Sequence, residues 1–213
     1  MRVWDVPTRL FHWAIVLLLG ASWITQRLDW MELHFLSGYS MLAMLLFRLG
    51  WGFFGSETAR FRHFLRGPLE AFRHLARLHR PEQDTQIGHN AAGGWMVLVM
   101  LVLLAVQVAT GLCANDDISA QGPLADYVGK DWSDWLTHIH AVNFELIELA
   151  IGLHIIAIAA YAALKRQDLL RPMITGRKRL PATTPPPKLA SPLLAIALFG
   201  MAAAAVAVLV NAL

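Results

Sequence analysis

Residues 137–155 read THIHAVNFELIELAIGLHI, three histidines and two glutamates inside an apolar run long enough to lie in a membrane. An ionisable side chain at bilayer depth is costly and usually faces the interior of a helical bundle, so these residues are candidates for chemistry. His140 and His154 are 14 residues apart. On a helix that spacing separates them by about 21 Å and leaves them only about 40° apart in direction, on one face and near opposite membrane surfaces. His138 points roughly 160° away from the face of His154. Neutral imidazoles at such positions can hold a metal or an iron porphyrin.

Ligands on one helix need partners on others. The chain has 213 residues, is 56% hydrophobic and 15% charged, and has a mean hydropathy of +0.48, which marks a membrane protein. Apolar runs at about 11–24, 35–54, 95–112, 139–164 and 189–213 each approach the ~20 residues that cross a hydrocarbon core, so five transmembrane helices are expected. The first run is read as an uncleaved anchor.

Orientation follows from Lys and Arg. Arg2 and Arg9, then Arg60, Arg62, Arg66, Arg73, Arg77 and Arg80, then Lys165, Arg166, Arg171, Arg177, Lys178, Arg179 and Lys188, mark segments that face the cytoplasm. The opposite loops carry Arg27 and Lys130 against Asp29, Glu32, Asp116, Asp117, Asp126, Asp131 and Asp134. The N-terminus is therefore expected inside and the fifth helix to end outside. The pI of about 9.4 reports this asymmetry; no motif points to nucleic acid.

Depth then sorts the histidines into two pairs. His12 and His154 lie toward the inner surface, His34 and His140 toward the outer one. Two histidines per level are too few for a zinc or copper site but suit the axial pair of a six-coordinate haem, whose macrocycle supplies the remaining ligands. Gly20 and Gly38 lie close enough in direction to His12 and His34 to admit a flat porphyrin, or equally to serve close helix packing. Propionates need cations, and Arg9 and Arg48 sit near the inner end, Arg27 and Lys130 near the outer; each also reads as an ordinary snorkelling charge. Cys113 is the only cysteine, so no C-x-x-C-H motif exists and a haem would be bound without covalent attachment.

The remaining features are less specific. RGPLEAFRHLARLHR carries Leu69, Phe72, Leu75 and Leu78 at helical spacing among arginines and is expected to lie on the inner membrane surface, with Pro68 in its first turn. His63, His74 and His79 belong to this wetted segment and are set aside. PLADYVGKDWSDWL suggests a short outer interfacial helix with Tyr127, Trp132 and Trp135 at the headgroups. LPATTPPPKLASP reads as an extended linker. The fifth helix has no ionisable residue and is expected to be an appendage for packing or for a partner.

WDVPTRLFHW, HFLSGYSMLAMLLFRLGWGFFGSETARF, GHNAAGGWMVLVMLVLLAVQVATGL and IHAVNFELIELAIGLH together resemble the bacterial cytochrome b561 and nickel-hydrogenase b-type cytochrome family over roughly residues 1–180. The resemblance implies a four-helix membrane cytochrome holding two haems b, one histidine coming from each of the first two helices and two from the fourth. That pattern matches His12, His34, His140 and His154. Many members carry a glutamate where Ala141 stands, which leaves the role of that acid open here. It further implies electron transfer between membrane quinone and a redox partner at the outer face, such as a hydrogenase, a periplasmic dehydrogenase or a c-type cytochrome.

The expected architecture is an all-α integral membrane protein of the bacterial inner membrane: a diheme four-helix transmembrane bundle over 1–180, with a cytoplasmic amphipathic segment at about 57–87, a Pro-rich linker at 181–192 and a C-terminal fifth transmembrane helix at 193–213. Its cofactors would be two bis-His haems b, with quinone as substrate. Gly88, His89 and Asn90, at the inner start of the third long run, form a candidate quinone site; Asn90 alternatively caps the helix. Glu145 and Glu148 are alternative proton carriers. A stand-alone superoxide:quinone oxidoreductase, a non-redox membrane anchor and a proton or ion transporter stay open as other functions, as do electron direction and oligomeric state.

Overall fold

The computed structural model describes residues 1–76 and 85–212, with side chains to residue 211. The helices are α1 (Val6–Arg27), α2 (Met31–Phe54), α3 (Phe61–Phe64), α4 (Pro68–Ala76), α5 (Ala91–Gly111), α6 (Ala125–Val128), α7 (Lys130–Lys165), α8 (Leu170–Thr175) and α9 (Pro192–Ala212), with a 3₁₀ turn at Glu57–Ala59. Among the described residues there is no strand, only isolated bridges at Arg2/Arg177 and Asn115/Gln121. Of these helices α1, α2, α5, α7 and α9 are long and apolar enough to cross a membrane. The expected all-α membrane architecture with five spans is what the chain forms.

α1 and α5 begin earlier than their apolar runs because polar residues cap them. Asp5 Oδ1 accepts the Thr8 amide at 2.7 Å and opens α1, with Pro7 in the first turn, where a missing N–H costs nothing. Asn90 Oδ1 accepts the Gly93 amide at 2.8 Å and opens α5. Asp29, at φ 58°, ends the turn after α1, and the Trp30 amide returns to Thr25 O at 2.8 Å. The outer interfacial helix differs from expectation. Tyr127 lies in the single turn of α6, Gly129 at φ 80° breaks the chain, and Trp132 and Trp135 belong to α7. Between Lys130 and Gly152 nothing interrupts helical geometry, so α7 runs for 36 residues, about 54 Å.

Helix α4 keeps Pro68 in its first turn and leaves Leu69, Phe72 and Leu75 exposed, as a surface-lying amphipathic helix requires. Arg77, Leu78, His79 and Arg80 lie outside the described residues. The segment before α9 has no helix but is strapped down. Glu57 N donates to Lys188 O at 2.9 Å, Lys188 N to Glu57 Oε2 at 2.9 Å, and Ala190 N to Ser56 Oγ at 2.9 Å.

Two compact units make up the chain. One comprises Met1–Phe11, Arg48–Val99 and Ala150–Ile196. Its centre is Trp51, fully buried, whose indole N–H donates to Asp5 Oδ2 at 3.0 Å, together with Val3, Trp4 and Phe64. The Val3 and Trp4 amides both donate to Gly176 O, at 2.8 and 3.2 Å. Gly176 has φ 76°, and a Cβ there would stand 2.8 Å from Trp4 O, so the position demands glycine. The other unit comprises His12–Phe47, Met100–Leu149 and Ala197–Leu213. Its core holds Ile15, Met41, Leu45, Phe47, Leu104, Val108 and Ile147, and Phe199 of α9 meets Phe47 edge to face at 6.1 Å.

Candidate haem-binding site

Within the second unit α2 and α7 bring His34 and His140 together. Their ring centres are 6.3 Å apart and their planes stand at 78°. Each ring is held by one nitrogen. His34 Nδ1 lies 2.9 Å from the Ser22 carbonyl of α1, and His140 Nδ1 lies 2.9 Å from the Gln107 carbonyl of α5. A carbonyl only accepts, so in both rings Nδ1 carries the proton and Nε2 keeps its lone pair for a metal.

The supports of these rings are themselves fixed. Ser37 Oγ donates to His34 O at 2.8 Å and pairs with Ser22 Oγ at 2.6 Å, which ties α1 to α2 beside the histidine. Thr110 Oγ1 donates to Val106 O at 2.7 Å and stands 3.2 Å from His140 Nδ1. Asn143, one turn on from His140, donates to Leu103 O at 2.9 Å and to Gln107 Oε1 at 2.7 Å, fastening α7 to α5. Gly111 lets the imidazole in, since a Cβ there would lie 2.8 Å from His140 Cε1 and 3.2 Å from Nδ1. His138 is exposed while His140 is half-buried, in the sense their spacing requires.

A six-coordinate iron fits between these rings. Two metal–imidazole bonds of about 2 Å and about 1.1 Å from each Nε2 to its ring centre sum to roughly 6 Å, which the 6.3 Å separation matches. A Cβ added at half-buried Gly38 or at exposed Gly20 meets no atom within 4 Å.

The other predicted residues are placed as follows. His12 is half-buried on α1, its ring against Trp13 at 4.9 Å, and His154 is half-buried on α7. Arg48 of α2 is only 3% exposed. Its guanidinium lies over the rings of Phe61, Phe11 and Phe64, at 5.0, 6.0 and 6.0 Å, and its Nη1 has no hydrogen-bond partner among the described residues. A caged cation with an unspent donor fits an anionic group such as a propionate. Arg9 instead spends donors on carbonyls, Nη1 to Ile174 O at 2.6 Å and Nε to Asp5 O at 3.3 Å, and so pins the end of α8 to the start of α1. Arg27 stacks over Trp23 at 5.6 Å, and Lys130 pairs with Asp117 and Asp134.

Gly88, His89 and Asn90 precede α5 in the first unit. His89 packs between Trp4, at 4.6 Å, and Phe64, at 5.1 Å. Asn90 is the helix cap and also donates to Tyr161 Oη at 2.9 Å, which lies 2.7 Å from His74 Nε2. His74, set aside on sequence grounds as wetted, is thus anchored to a buried tyrosine. The sequence reading also passed over Ser22, Gln107, Thr110, Gly111 and Asn143. Polar side chains inside apolar spans were the available signal for four of them.

The family model of prokaryotic cytochrome b561 matches residues 3–176, which include all four candidate ligands and Arg48. No curated protein and no solved structure matches the chain. A match over most of a helical chain with five spans is decisive: the chain belongs to the prokaryotic cytochrome b561 family of multi-pass membrane proteins, b-type cytochromes that transfer electrons.

Proposed function

We propose that this cytochrome holds two haems b and carries electrons between membrane quinone and a redox partner on the periplasmic side of the bacterial inner membrane, with its N-terminus cytoplasmic. The observation that carries the reading is the His34/His140 pair, two rings 6.3 Å apart with both Nδ1 atoms tied to carbonyls. His34 and His140 would hold one haem. His12 and His154 would hold the other, an assignment that rests on their depth in the sequence and on the family's ligand pattern. A bound haem supplies reversible one-electron chemistry at iron.

This chain's residues do the rest. Ser22 and Gln107 fix the tautomers and leave each Nε2 available as a ligand. The apolar walls from α1, α2, α5 and α7 exclude water, which favours a low reorganisation cost for single-electron steps. Arg48 offers a fixed positive charge to a propionate. Quinone chemistry moves protons as well as electrons, and His89, beside the first turn of α5, is the titratable side chain we assign to that exchange, with Glu145 and Glu148 as alternative carriers. The acidic outer loop, with Asp116, Asp117 and Asp126, suits a basic partner surface.

The test is a reduced-minus-oxidised spectrum of the purified chain with pyridine haemochrome quantitation, followed by reduction with quinol. Two haems b per chain, reduced by quinol, are expected. One haem per chain would remove the His12/His154 assignment, and haems inert to quinol would remove quinone as substrate.

A further inference from the structure

Helix α7 has a second face that the haem site does not use. Relative to His140, the buried residues Asn143 and Ile147 lie about 60° and 20° to one side. His138, Ala141, Glu145 and Glu148 lie on the opposite side, within an arc of about 80° centred roughly 120° from His140. All four are exposed. Their spacing of three, four and three residues is the heptad seam of paired helices, and the sequence continues it with Gly152.

Lipid cannot be the final neighbour of this seam. His138, Glu145 and Glu148 make no hydrogen bond or ion pair with the described residues, and the two carboxyls lie well inside the apolar span of α7. An unsatisfied polar group in hydrocarbon is strongly unfavourable. A carboxylic acid that carries its proton has one O–H donor and one C=O acceptor. It is therefore self-complementary: two identical ones facing each other satisfy both. Copies of one membrane protein insert with the same orientation, so a two-fold axis along the membrane normal brings identical residues together at identical depth. Ala141, between the polar positions, permits close backbone approach. The length of α7, about 54 Å against a core of ~30 Å, lets the seam continue beyond the bilayer.

We propose that the His138–Ala141–Glu145–Glu148 seam of α7 is a homodimer interface, in which this face packs in parallel against the same face of a second copy.

The experiment uses the purified haem-loaded full chain in lipid bilayers. In a Cys113→Ala background, A141C is compared with L146C, which is also lipid-exposed but about 100° away from Glu145. Oxidation should cross-link A141C into dimers and leave L146C monomeric. Single-molecule photobleaching of the Cys113→Ala protein should give two-step traces. Glu145→Leu should weaken dimerisation about ten-fold, the effect of roughly one buried polar pair, while Glu145→Gln, which keeps a donor and an acceptor, should hold the dimer. Haem content should be unchanged in both, since the seam faces away from His140. Single-step traces, equal cross-linking at both cysteines, or cross-linking of A141C in native membranes only to a different chain would each overturn the proposal.

Discussion

His34 and His140 face each other at 6.3 Å across α2 and α7, each proton-locked at Nδ1 by a carbonyl from a third and a fourth helix, Ser22 on α1 and Gln107 on α5. One pair of rings thus reads the position of four helices. Ligation by this pair predicts that His34→Ala and His140→Ala each remove one haem, halving the haemochrome yield per chain. His138→Ala should leave it intact, because His138 points to the exposed side of α7. Loss of haem from His138→Ala with retention in His140→Ala would reverse the face of α7 that binds.

Glycines provide an independent reading of the same pocket. Gly111→Ala would put a methyl 2.8 Å from His140 Cε1, so the ring must tilt away from its Gln107 tether. The expected result is an altered low-spin electron paramagnetic resonance signal for one haem, with its occupancy reduced. A Cβ at Gly38 meets no protein atom within 4 Å, so Gly38→Leu should fold with unchanged helicity while losing a haem. Full haem content in Gly38→Leu would show that the open space beside Gly38 is not the porphyrin's.

Much of this site was legible because its residues are expensive where they stand. Four histidines at two depths, read with helical periodicity and the Lys/Arg distribution, give His34/His140 and His12/His154 as the expected pairs, and the structure brings the first pair together. The tethers were not legible, since the Ser22 and Gln107 carbonyls belong to the backbone and every residue has one. Gly111 looked like any helix-terminal glycine until the His140 ring was placed against it. Asn90 shows the opposite difficulty: the sequence allowed a quinone ligand or a helix cap, and the side chain is occupied as a cap and as a donor to Tyr161. The boundary of α7 was missed because Trp132 and Trp135 suggested an interface while nothing in the chain actually broke the helix.

The loop between α5 and α6 should respond to acid. Asp116 has its carboxyl held below the usual range by the amides of Ile118, Ala120 and Ser119, which donate to Oδ1 at 2.9, 2.8 and 2.9 Å. A carboxyl whose folded value is lowered stabilises the loop above its unfolded value of about 4, and that contribution is lost as pH falls through the lowered folded value. Protection factors of the Ile118, Ser119 and Ala120 amides should therefore be constant from neutral pH down to about 4 and collapse below it. Asp116→Asn keeps an acceptor oxygen and should abolish the pH dependence. Amides that stay protected in strong acid would show that the loop does not rest on this charge.

Arg48 supplies the last prediction. Its guanidinium is caged by Phe11, Phe61 and Phe64 with Nη1 unpartnered among the described residues, and Asp5, a carboxylate whose charge acts on it, already accepts from Trp51 and the Thr8 amide. If that charge serves a haem propionate, reduction of the iron gains from it, because the reduced haem is one unit more negative than the oxidised. Arg48→Met keeps the length and the apolar packing but removes the cation, so one of the two haem midpoint potentials should fall by an amount on the order of tens of millivolts at an effective dielectric of about 20. Arg48→Lys keeps the charge and should recover most of the drop while losing the planar fork. Redox titration of the α band separates the two haems. A fall in only one potential, restored by lysine, identifies Arg48 as an electrostatic partner of that haem; equal small changes in both would mean that Arg48 only braces the aromatic cage.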